Sequence, residues 1–281
     1  MSDKTIGILG AGGAAGIGMT RCLNDHYTLG GTDTSPWATQ LMQCNALKNL
    51  DTCDLILPVP DKAIELYVGS HNTFLPPIEQ ITLCQDKAET AEMLGTLAPK
   101  TYWLRDTTGA GGKGAQMLTN YLPGKNYSVE FVYYEGTQLA RFQKQRVSYS
   151  TKERTTGLDN RGSSMVSVCT NNTNVWEQAE IALLMLGTET NTALHGFYGV
   201  DLKCDEDKLP RITEINCGRL LTASYNFYHL TGYNLPLVGV KAYFKEEPTT
   251  LPRYPVGYGL VRQVDCLPKL VTPEVTNTWN Y

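Results

Sequence analysis

The sequence predicts an α/β unit built on a parallel sheet, followed by a mixed α+β region. Strand-like and helix-like segments alternate over the first eighty residues, which favours parallel strands covered by helices on both faces. From Gln80 onward, paired strands separated by turn residues replace this alternation, as in antiparallel hairpins. With 281 residues, the chain is long enough for one or two domains and for a sizeable core.

The first region contains three predicted strand–helix pairs. Each short apolar strand precedes a helical segment, and the pairs are 5–9 with 15–24, 27–32 with 35–49, and 54–58 with 61–68. Ser35 before Pro36 is typical of a helix start, because serine caps the first turn and proline fits within it. This alternation predicts three parallel strands.

The second region mixes both element types. The sequence predicts helices at 86–94 and 174–186 and strands at 102–105, 127–134, 137–146, 199–203 and 211–216. A hairpin turn is expected at Glu135-Gly136, and Asn174 with Glu177 matches a capping box. The stretch 148–173 is polar and rich in Ser, Thr, Asn and Gly, which predicts a long loop that is functional or mobile.

Charge and cysteine usage narrow the functional class. Lys and Arg number 24 and Asp and Glu number 28, so the formal net charge of −4 argues against nucleic acid or an anionic membrane as partner. The eight cysteines include no CxxC pair, which argues against zinc-ribbon and thioredoxin motifs. Scattered cysteines predict reduced thiols in a cytoplasmic protein, with a disulfide network as the weaker alternative.

An uncharged N-terminal stretch could be mistaken for a secretory signal. Residues 6–19 contain six glycines, and each costs about 1 kcal/mol in a helix relative to alanine. The stretch is also too short to span a bilayer. We therefore interpret it as a strand, a glycine turn and a helix start.

The first candidate site is this glycine turn. Gly10, Gly12 and Gly16 approximate a dinucleotide-binding fingerprint, and Asp33 ends the next strand, where an acid can bind a ribose. The third glycine falls one position late for that motif. A tight turn that simply needs glycine is the alternative, since such a run alone is a weak signal.

The second candidate site is the glycine cluster at 109–114. Backbone N–H groups without side chains can surround a polyphosphate, and Arg105 and Lys113 can neutralise its charge. The spacing is not that of a P-loop. A plain glycine turn is possible, but the flanking cations favour phosphate binding.

The third candidate site is a predicted hairpin over 198–216. If Asp201 pairs with Glu214, the turn centres between Asp207 and Lys208, within a polar stretch. Glu214 and Asn216 are two residues apart and share a strand face, which Asp201 joins. Three oxygen ligands suit Mg²⁺. A solvated surface hairpin is the alternative, but opposed like charges destabilise a ladder unless a cation lies between them.

Together these segments resemble the ATP-grasp superfamily, with carbamoyl-phosphate synthase-like features, over essentially the whole chain. The segment QDKAETAEMLGTLAPK is similar to the family's entry helix, with Lys87 as a nucleotide-contacting lysine, and YWLRDTTGAGGKGAQ to its phosphate loop, with Arg105. NYLPGKNYSVEF resembles the adenine hinge, in which Tyr121 and Leu122 would offer backbone groups. VDLKCDEDKLPRITEINCGR resembles the metal strands, and Arg219 follows them.

The resemblance implies a Rossmann-like pre-ATP-grasp domain at 1–79 and an ATP-grasp domain at 80–281. Within the latter, 80–147 would be the nucleotide-binding part and 148–281 the metal and substrate part. Two departures stand out. Asn126 occupies the usual position of the ribose-binding acid, so that Glu130 is the nearest substitute. Residues 116–120 leave almost no room for the family's lid helix, which implies a trimmed lid.

The implied activity is that of an ATP-dependent ligase that joins a carboxylate to an amine through an acylphosphate. Its implied cofactors are ATP and Mg²⁺, for which Mn²⁺ can substitute. Arg219 and Arg105 would be catalytic, and Asp201, Glu214 and Asn216 would hold the metal. The implied ATP-binding residues are Lys87, Arg105, Gly109, Gly111, Gly112, Lys113, Tyr121, Leu122, Asn126 and Glu130. The implied substrate contacts are Arg154, Arg161 and Gly162.

The expected partners are small-molecule carboxylate and amine substrates, with a homodimer left open and neither nucleic acid nor membrane. Two rival functions stay open. A nicotinamide oxidoreductase would use Gly10, Gly12, Gly16 and Asp33, but it leaves the hairpin acids unexplained. A non-catalytic nucleotide-binding module would fit the trimmed lid.

Overall fold

The computed structural model of the chain describes residues 2–104, 116–151, 161–263 and 266–279. Its N-terminal elements are β1 (Thr5–Leu9), α1 (Ala14–Leu23), β2 (Thr28–Thr32), α2 (Pro36–Thr39), β3 (Asn45–Ala46), β4 (Leu55–Pro58) and α3 (Asp61–Tyr67). The four strands form one parallel sheet in the order β3-β2-β1-β4, in which β1, β2 and β4 are the three strands that the strand–helix alternation predicts. Ile6 and Ile8 of the central strand are fully buried.

One predicted helix, at 35–49, is wrong in length. Ser35 does cap a helix, because its Oγ accepts the N–H of Ala38 at 3.4 Å, but α2 ends at Thr39. The chain then adds β3 to the edge of the sheet, and the Leu47 side chain packs in the space above Gly30 that a Cβ would fill. Strand pairing and this close packing override the weak local helix preference.

A second set of elements follows α3. They are α4 (Ile78–Gln85), α5 (Lys87–Leu94), a 3-10 turn (Gly95–Leu97), β5 (Thr101–Leu104), β6 (Gln116–Thr119), β7 (Asn126–Tyr134), β8 (Thr137–Thr151), β9 (Arg161–Cys169), α6 (Thr173–Glu189), β10 (Gly196–Cys204), β11 (Pro210–Cys217), α7 (Ser224–Thr231), α8 (Leu235–Tyr243), β12 (Gly259–Gln263), β13 (Cys266–Val271) and α9 (Pro273–Thr276). β5 and β6 form a separate two-stranded antiparallel sheet. The other strands form a seven-stranded antiparallel sheet in the order β11-β10-β7-β8-β9-β12-β13. The division expected after residue 79 falls within α4.

The long loop predicted at 148–173 is largely wrong. β8 continues to Thr151, and β9 occupies Arg161–Cys169, where it pairs with β8 and β12. The serines that suggested a loop are accommodated inside the sheet, since the hydroxyls of Ser164 and Ser167 are buried and lie 2.6 Å apart. The predicted cap of the following helix is also displaced, because Asn172 rather than Asn174 caps α6.

The hairpin predicted at Glu135-Gly136 is confirmed. Both residues have positive φ, 48° and 82°, as the tight turn between twisted strands requires. The backbone N–H of Glu135 donates to Nδ1 of His195 at 3.3 Å, which ties the turn to the segment before β10. This contact requires the imidazole nitrogen to be unprotonated.

We expect His195 to make stability depend on pH. Burial lowers the pKa of His195 below its usual 6.5, against a smaller opposing effect of Glu135. The unfolded chain therefore binds the proton first as the pH falls, so the free energy of unfolding should decrease below pH 6.5. Urea unfolding on both sides of that pH tests this, and His195→Gln should flatten the dependence. An unchanged slope in that variant would contradict the assignment.

The two regions share one hydrophobic core. α1 packs against α7, where the Cβ of Tyr225 lies 2.5 Å from the position that a Cβ on Gly18 would take. The side-chain amide of Asn234 donates to the carbonyl of Cys22 at 2.6 Å, and Tyr27 Oη donates to Glu246 at 2.6 Å. In the part of the chain that is described, no helix has the length and apolar character needed to cross a membrane.

Candidate functional site

The predicted hairpin of the third site is confirmed, including its register. β10 and β11 pair with Asp201 directly opposite Glu214 and Gly199 opposite Asn216. A bulge follows at Thr213, whose hydroxyl donates to the carbonyl of Asp201 at 3.1 Å. Direct pairing places Asp201, Glu214 and Asn216 on one face of the sheet.

These three side chains line a common space, here termed the hairpin cavity. Its volume is about 270 Å³, and its lining consists of Lys144, Arg146, Ser164, Asp201, Glu214, Asn216, Arg219, Leu221 and Ala223. The sheet register explains this grouping, because Asp201 pairs with Ser128, which in turn pairs with Lys144. Arg219 reaches the cavity from the loop after β11. The structure therefore brings Arg219 together with the three residues that sequence analysis assigned to the metal.

The acids of the hairpin have protein cations beside them. Arg146 donates to Oδ1 of Asp201, and Ser128 Oγ donates to the same oxygen at 2.9 Å. Lys87 Nζ lies 3.9 Å from Oε1 of Glu214. Sequence analysis expected a cation between the two opposed carboxylates, and these side chains supply positive charge there. The opposed pair is thus stable without a ligand.

A third cation, Lys144, belongs to a fully buried network around Glu130. Lys144 Nζ donates to Oε1 of Glu130 at 3.1 Å and to Ser224 Oγ, which also bonds to Glu130. Oε2 of Glu130 accepts the N–H of Leu221 at 2.9 Å and Tyr228 Oη–H at 2.8 Å. Burial lowers the pKa of Lys144, an effect that the Glu130 carboxylate opposes.

This network corrects the ribose-binding role expected of Glu130. Its side chain is inaccessible, and its two carboxylate oxygens accept hydrogen bonds from β8, α7 and the loop after β11. Asn126, the alternative ribose contact, begins β7 and lies outside the lining of the nucleotide cleft described below. An acid within the apolar run of the predicted strand 127–134 was the available signal for a buried ion pair.

A second cavity of about 420 Å³, here termed the nucleotide cleft, adjoins the first. It is lined by residues of α4, α5, β6, β10, β11 and their connections, including Lys87, Leu94, Tyr121, Leu122, Lys203, Ile212, Glu214 and Ile215. Leu94, Ile212 and Ile215 give it apolar walls. Tyr121 is 62% exposed, and its ring lies 5.1 Å from Lys203 Nζ. Glu214 lines both spaces, so the cleft and the hairpin cavity meet at this carboxylate.

Local structure fixes Lys87 at the start of α5. Asp86 caps this helix, since its Oδ1 accepts the N–H groups of Ala88 and Glu89 at 2.8 and 3.1 Å. Lys87 therefore occupies the first helical position, beside the nucleotide cleft. A wider cavity of about 840 Å³ opens on the other side of Tyr121 and Leu122, toward the β10–β11 turn.

The glycine turn of the first site surrounds a fourth cavity. This space of about 390 Å³ is lined by residues 10, 13–16 and 59–61 and by Arg219, which donates to Asp61 at 2.5 Å. Asp33 accepts the N–H of Gly12 at 3.1 Å and that of Ser35 at 3.0 Å. Both oxygens of Asp33 thus support the local backbone, which favours the tight-turn interpretation over a ribose contact.

The hairpin residues fit a Mg²⁺ ion by their chemistry. Asp201, Glu214 and Asn216 can each offer a side-chain oxygen as a metal ligand. Mg²⁺ binds one or two carboxylates together with nucleotide phosphates. Among the described residues, no three His, Cys, Asp or Glu side chains come together as a metal cluster. The candidate metal ligands at the hairpin are two carboxylates and one amide. Asn216 is only 6% exposed, yet its Nδ2 has no hydrogen-bond partner within the described ranges, which indicates a missing ligand.

Several predicted site residues lie outside the described residues. They are Arg105, Gly109, Gly111, Gly112, Lys113 and Arg154. Arg161 and Gly162 begin β9. The residues that sequence analysis missed are Lys144 and Arg146, whose spacing of two within the predicted strand 137–146 placed them on one face.

Comparison with solved structures identifies the fold. An ATP-grasp superfamily protein from Archaeoglobus fulgidus matches with a TM-score of 0.62 and 16% identity, covering 92% of each chain. An ADP complex of N5-carboxyaminoimidazole synthetase from Staphylococcus aureus matches with a TM-score of 0.65 and 14% identity, covering 93% of this chain and 82% of that one. An L-amino acid ligase from Bacillus licheniformis matches at 0.59 and 12%, covering 92% and 79%. No family model matches the sequence, and no curated protein does.

Proposed function

We propose, from the ATP-grasp fold of this chain, that it is an ATP-dependent ligase of the carboxylate–amine type. The observation that carries the proposal is Glu214, which lines both the nucleotide cleft and the hairpin cavity. A nucleotide in the cleft and an acceptor in the cavity would meet at this carboxylate. Three structural neighbours support this class, since they are named as ligases or synthetases.

The nucleotide would occupy the cleft between α5 and β11. Its apolar walls suit a purine ring, and the backbone at Tyr121 and Leu122 would supply hydrogen bonds to adenine. Lys87 would bind the phosphates, as would Arg105 and the glycine run 109–114. Two neighbours of similar fold are described as ADP complexes.

Asp201, Glu214 and Asn216 would hold the metal. When bound, Mg²⁺ would neutralise phosphate charge. Arg146 and Lys87 hold the two carboxylates in position before any ligand arrives. Lys87 can then exchange Glu214 for a nucleotide phosphate, because its side chain is largely exposed and the contact is long at 3.9 Å.

The proposed reaction has two steps. A carboxylate oxygen of the acceptor attacks the γ-phosphorus and displaces ADP, which gives an acylphosphate. An amine nitrogen then attacks the carbonyl carbon and loses a proton while orthophosphate leaves. Arg219, at the wall of the hairpin cavity, would stabilise the phosphate charge in both steps. The chain's contribution is mainly positioning and electrostatics.

The proposal keeps the division into 1–79 and 80–281, with a Rossmann-like first part. It also keeps the trimmed lid, since residues 116–120 leave almost no room for a lid helix. Gln116–Thr119 is strand β6, and Tyr121 and Leu122 of the proposed adenine hinge follow directly after Asn120. Substrate contacts by Arg154, Arg161 and Gly162 stay part of the proposal.

Calorimetric titration tests the proposed function. A non-hydrolysable ATP analogue should bind only weakly without Mg²⁺, because the nucleotide cleft adjoins the proposed oxygen ligands of the metal. NADH should not bind. Lys87→Met should weaken the analogue about tenfold to a hundredfold, since a charge-assisted contact is worth about 1.5–3 kcal/mol. The exposed Lys48 lies away from the cleft, so Lys48→Met is the matched control.

Two outcomes would contradict the proposal. NADH binding without analogue binding would favour the oxidoreductase. Analogue binding without ADP release over a panel of carboxylates and amines would favour the non-catalytic module.

A further inference from the structure

One wall of the hairpin cavity is cationic, and the proposed chemistry of metal and nucleotide assigns neither of its two cations a ligand. Lys144 and Arg146 are two residues apart on β8, so both side chains project from one face. The Lys144 side chain is only 1% exposed, and its ammonium is held by Glu130 and Ser224. The Arg146 side chain is 17% exposed. Both cations are therefore built into the wall of the cavity and are not solvated surface groups.

Arg146 is held from one side. Its Nε donates to Ser128 Oγ at 2.7 Å, and Nη2 donates to Asp201 Oδ1. Its guanidinium also interacts with the Tyr149 hydroxyl. A guanidinium carries five donors in a planar fork, more than these three acceptors use. If Asp201 binds a metal, its negative charge is shared between the metal and Arg146, so that Arg146 can pair with a second anion. The hairpin cavity beside Arg146 has space for that anion.

The Asn216 amide also indicates an anionic ligand in the hairpin cavity. Its Nδ2 is buried at the wall of this cavity and has no partner among the described residues. An amide nitrogen can only donate, so it requires an acceptor oxygen. A buried donor without an acceptor is rare in folded proteins, which indicates that a ligand oxygen completes it. The carbonyl end of the same amide stays available to a metal.

We propose that Arg146, Lys144 and Nδ2 of Asn216 form a carboxylate-binding subsite that holds the acceptor substrate of the ligase. This inference rests on the proposed function and names the residues that select its acceptor. The cavity volume of about 270 Å³ corresponds to about nine water molecules at ~30 Å³ each, so the subsite takes a small carboxylate group. Arg146 is the main determinant, because its fork matches a carboxylate.

The test titrates small anions into the full-length protein, with and without Mg·ADP. Acetate, malonate and succinate are the carboxylate probes, and orthophosphate is a separate arm. We expect saturable carboxylate binding by wild type. Arg146→Met should raise the carboxylate dissociation constant at least tenfold in the titrations without Mg·ADP, in which the contact of Arg146 with the proposed metal ligand Asp201 plays no part. Arg146→Lys keeps the charge without the fork, and it should give a smaller loss.

Asn216→Asp separates the two ends of this side chain. The substitution keeps an oxygen for the metal but replaces the Nδ2 donor by an acceptor that repels an anion. We expect at least a tenfold loss of carboxylate affinity in the titrations without Mg·ADP, in which metal binding by Asn216 plays no part. Lys87→Met is the reciprocal control, since Lys87 lines the nucleotide cleft and not the hairpin cavity, and it should weaken only the nucleotide.

The outcomes distinguish this subsite from the proposed function. Unchanged carboxylate affinity in both Arg146→Met and Asn216→Asp would overturn the subsite, as would binding of orthophosphate without any carboxylate. Absence of saturable carboxylate binding by wild type would also overturn it. If wild type fails to bind Mg·ADP while Arg146→Met still loses carboxylate affinity, the proposed function fails and the subsite stands.

Discussion

Glu214→Ala is expected to remove most of the Mg²⁺-dependent affinity for nucleotide. Glu214 is the carboxylate at which the nucleotide cleft and the hairpin cavity meet, and it also holds Lys87. Loss of an outer-shell partner alone typically costs 10–100-fold in metal affinity, so loss of a direct ligand should cost about 100-fold or more. Titration of an ATP analogue with and without Mg²⁺ measures the effect.

The variant should still fold. The Glu214 side chain is 44% exposed, and its pair with Lys87 is a surface contact worth at most ~1 kcal/mol. Glu177 is an exposed acid on α6 and lies outside these cavities, so Glu177→Ala is the matched control. Wild-type Mg²⁺-dependent affinity in folded Glu214→Ala would remove this strand from the metal site.

Glu130→Leu is expected to destabilise the protein by about 3–5 kcal/mol. The substitution leaves the Lys144 ammonium buried without its carboxylate, and breaking a buried ion pair in this way is strongly destabilising. It also removes the acceptor of the Leu221 N–H and of Tyr228 Oη. Urea unfolding monitored by tryptophan fluorescence measures the loss.

Two comparisons isolate the buried charge as the cause. Replacing both partners, as in Glu130→Leu with Lys144→Met, should recover much of the stability, because no lone charge is then buried. Glu180→Gln breaks a half-exposed pair with Arg141, at 3.5 Å, and should cost less than ~1 kcal/mol. A loss in Glu130→Leu as small as that of Glu180→Gln would show that Glu130 does not anchor the network.

Local sequence predicts which strands form a hairpin, but not the bulges that adjust their register. The assumed pairing of Asp201 with Glu214 put a turn in the polar stretch after Cys204, and the structure has this pairing, which it reaches through a bulge at Thr213. A plain turn at Glu135-Gly136 would put Glu130 opposite Arg141, but a bulge after Val132 shifts the register by one and brings Lys144 diagonally beside Glu130. The ribose role expected of Glu130 failed because its position relative to the hinge was considered without this cross-strand neighbour.

Other features depend on contacts that no local pattern contains. Arg219 bonds to Asp61, 158 positions away in the sequence, so the joining of the hairpin cavity to the glycine turn could not be predicted. The stretch 148–173 has the composition of a loop, but pairing of β9 with β8 and β12 makes most of its described residues strand, while 152–160 lie outside the described ranges. β3 likewise forms because Gly30 leaves room for Leu47. In each case tertiary contact outweighs local preference.

The packing of α1 against α7 and α8 has a consequence for cooperativity. Buried side chains of β1 and α1, such as Ile8 and Leu23, belong to the same cluster as Phe142, Phe227 and Val240 from the larger sheet and its helices. Domains with entirely separate cores can melt separately. The larger region also has a cluster of its own around Phe131 and Trp176, but we expect the shared cluster to couple the two regions. Loosening of the N-terminal sheet should then also loosen α7, the helix that holds Glu130 through Tyr228.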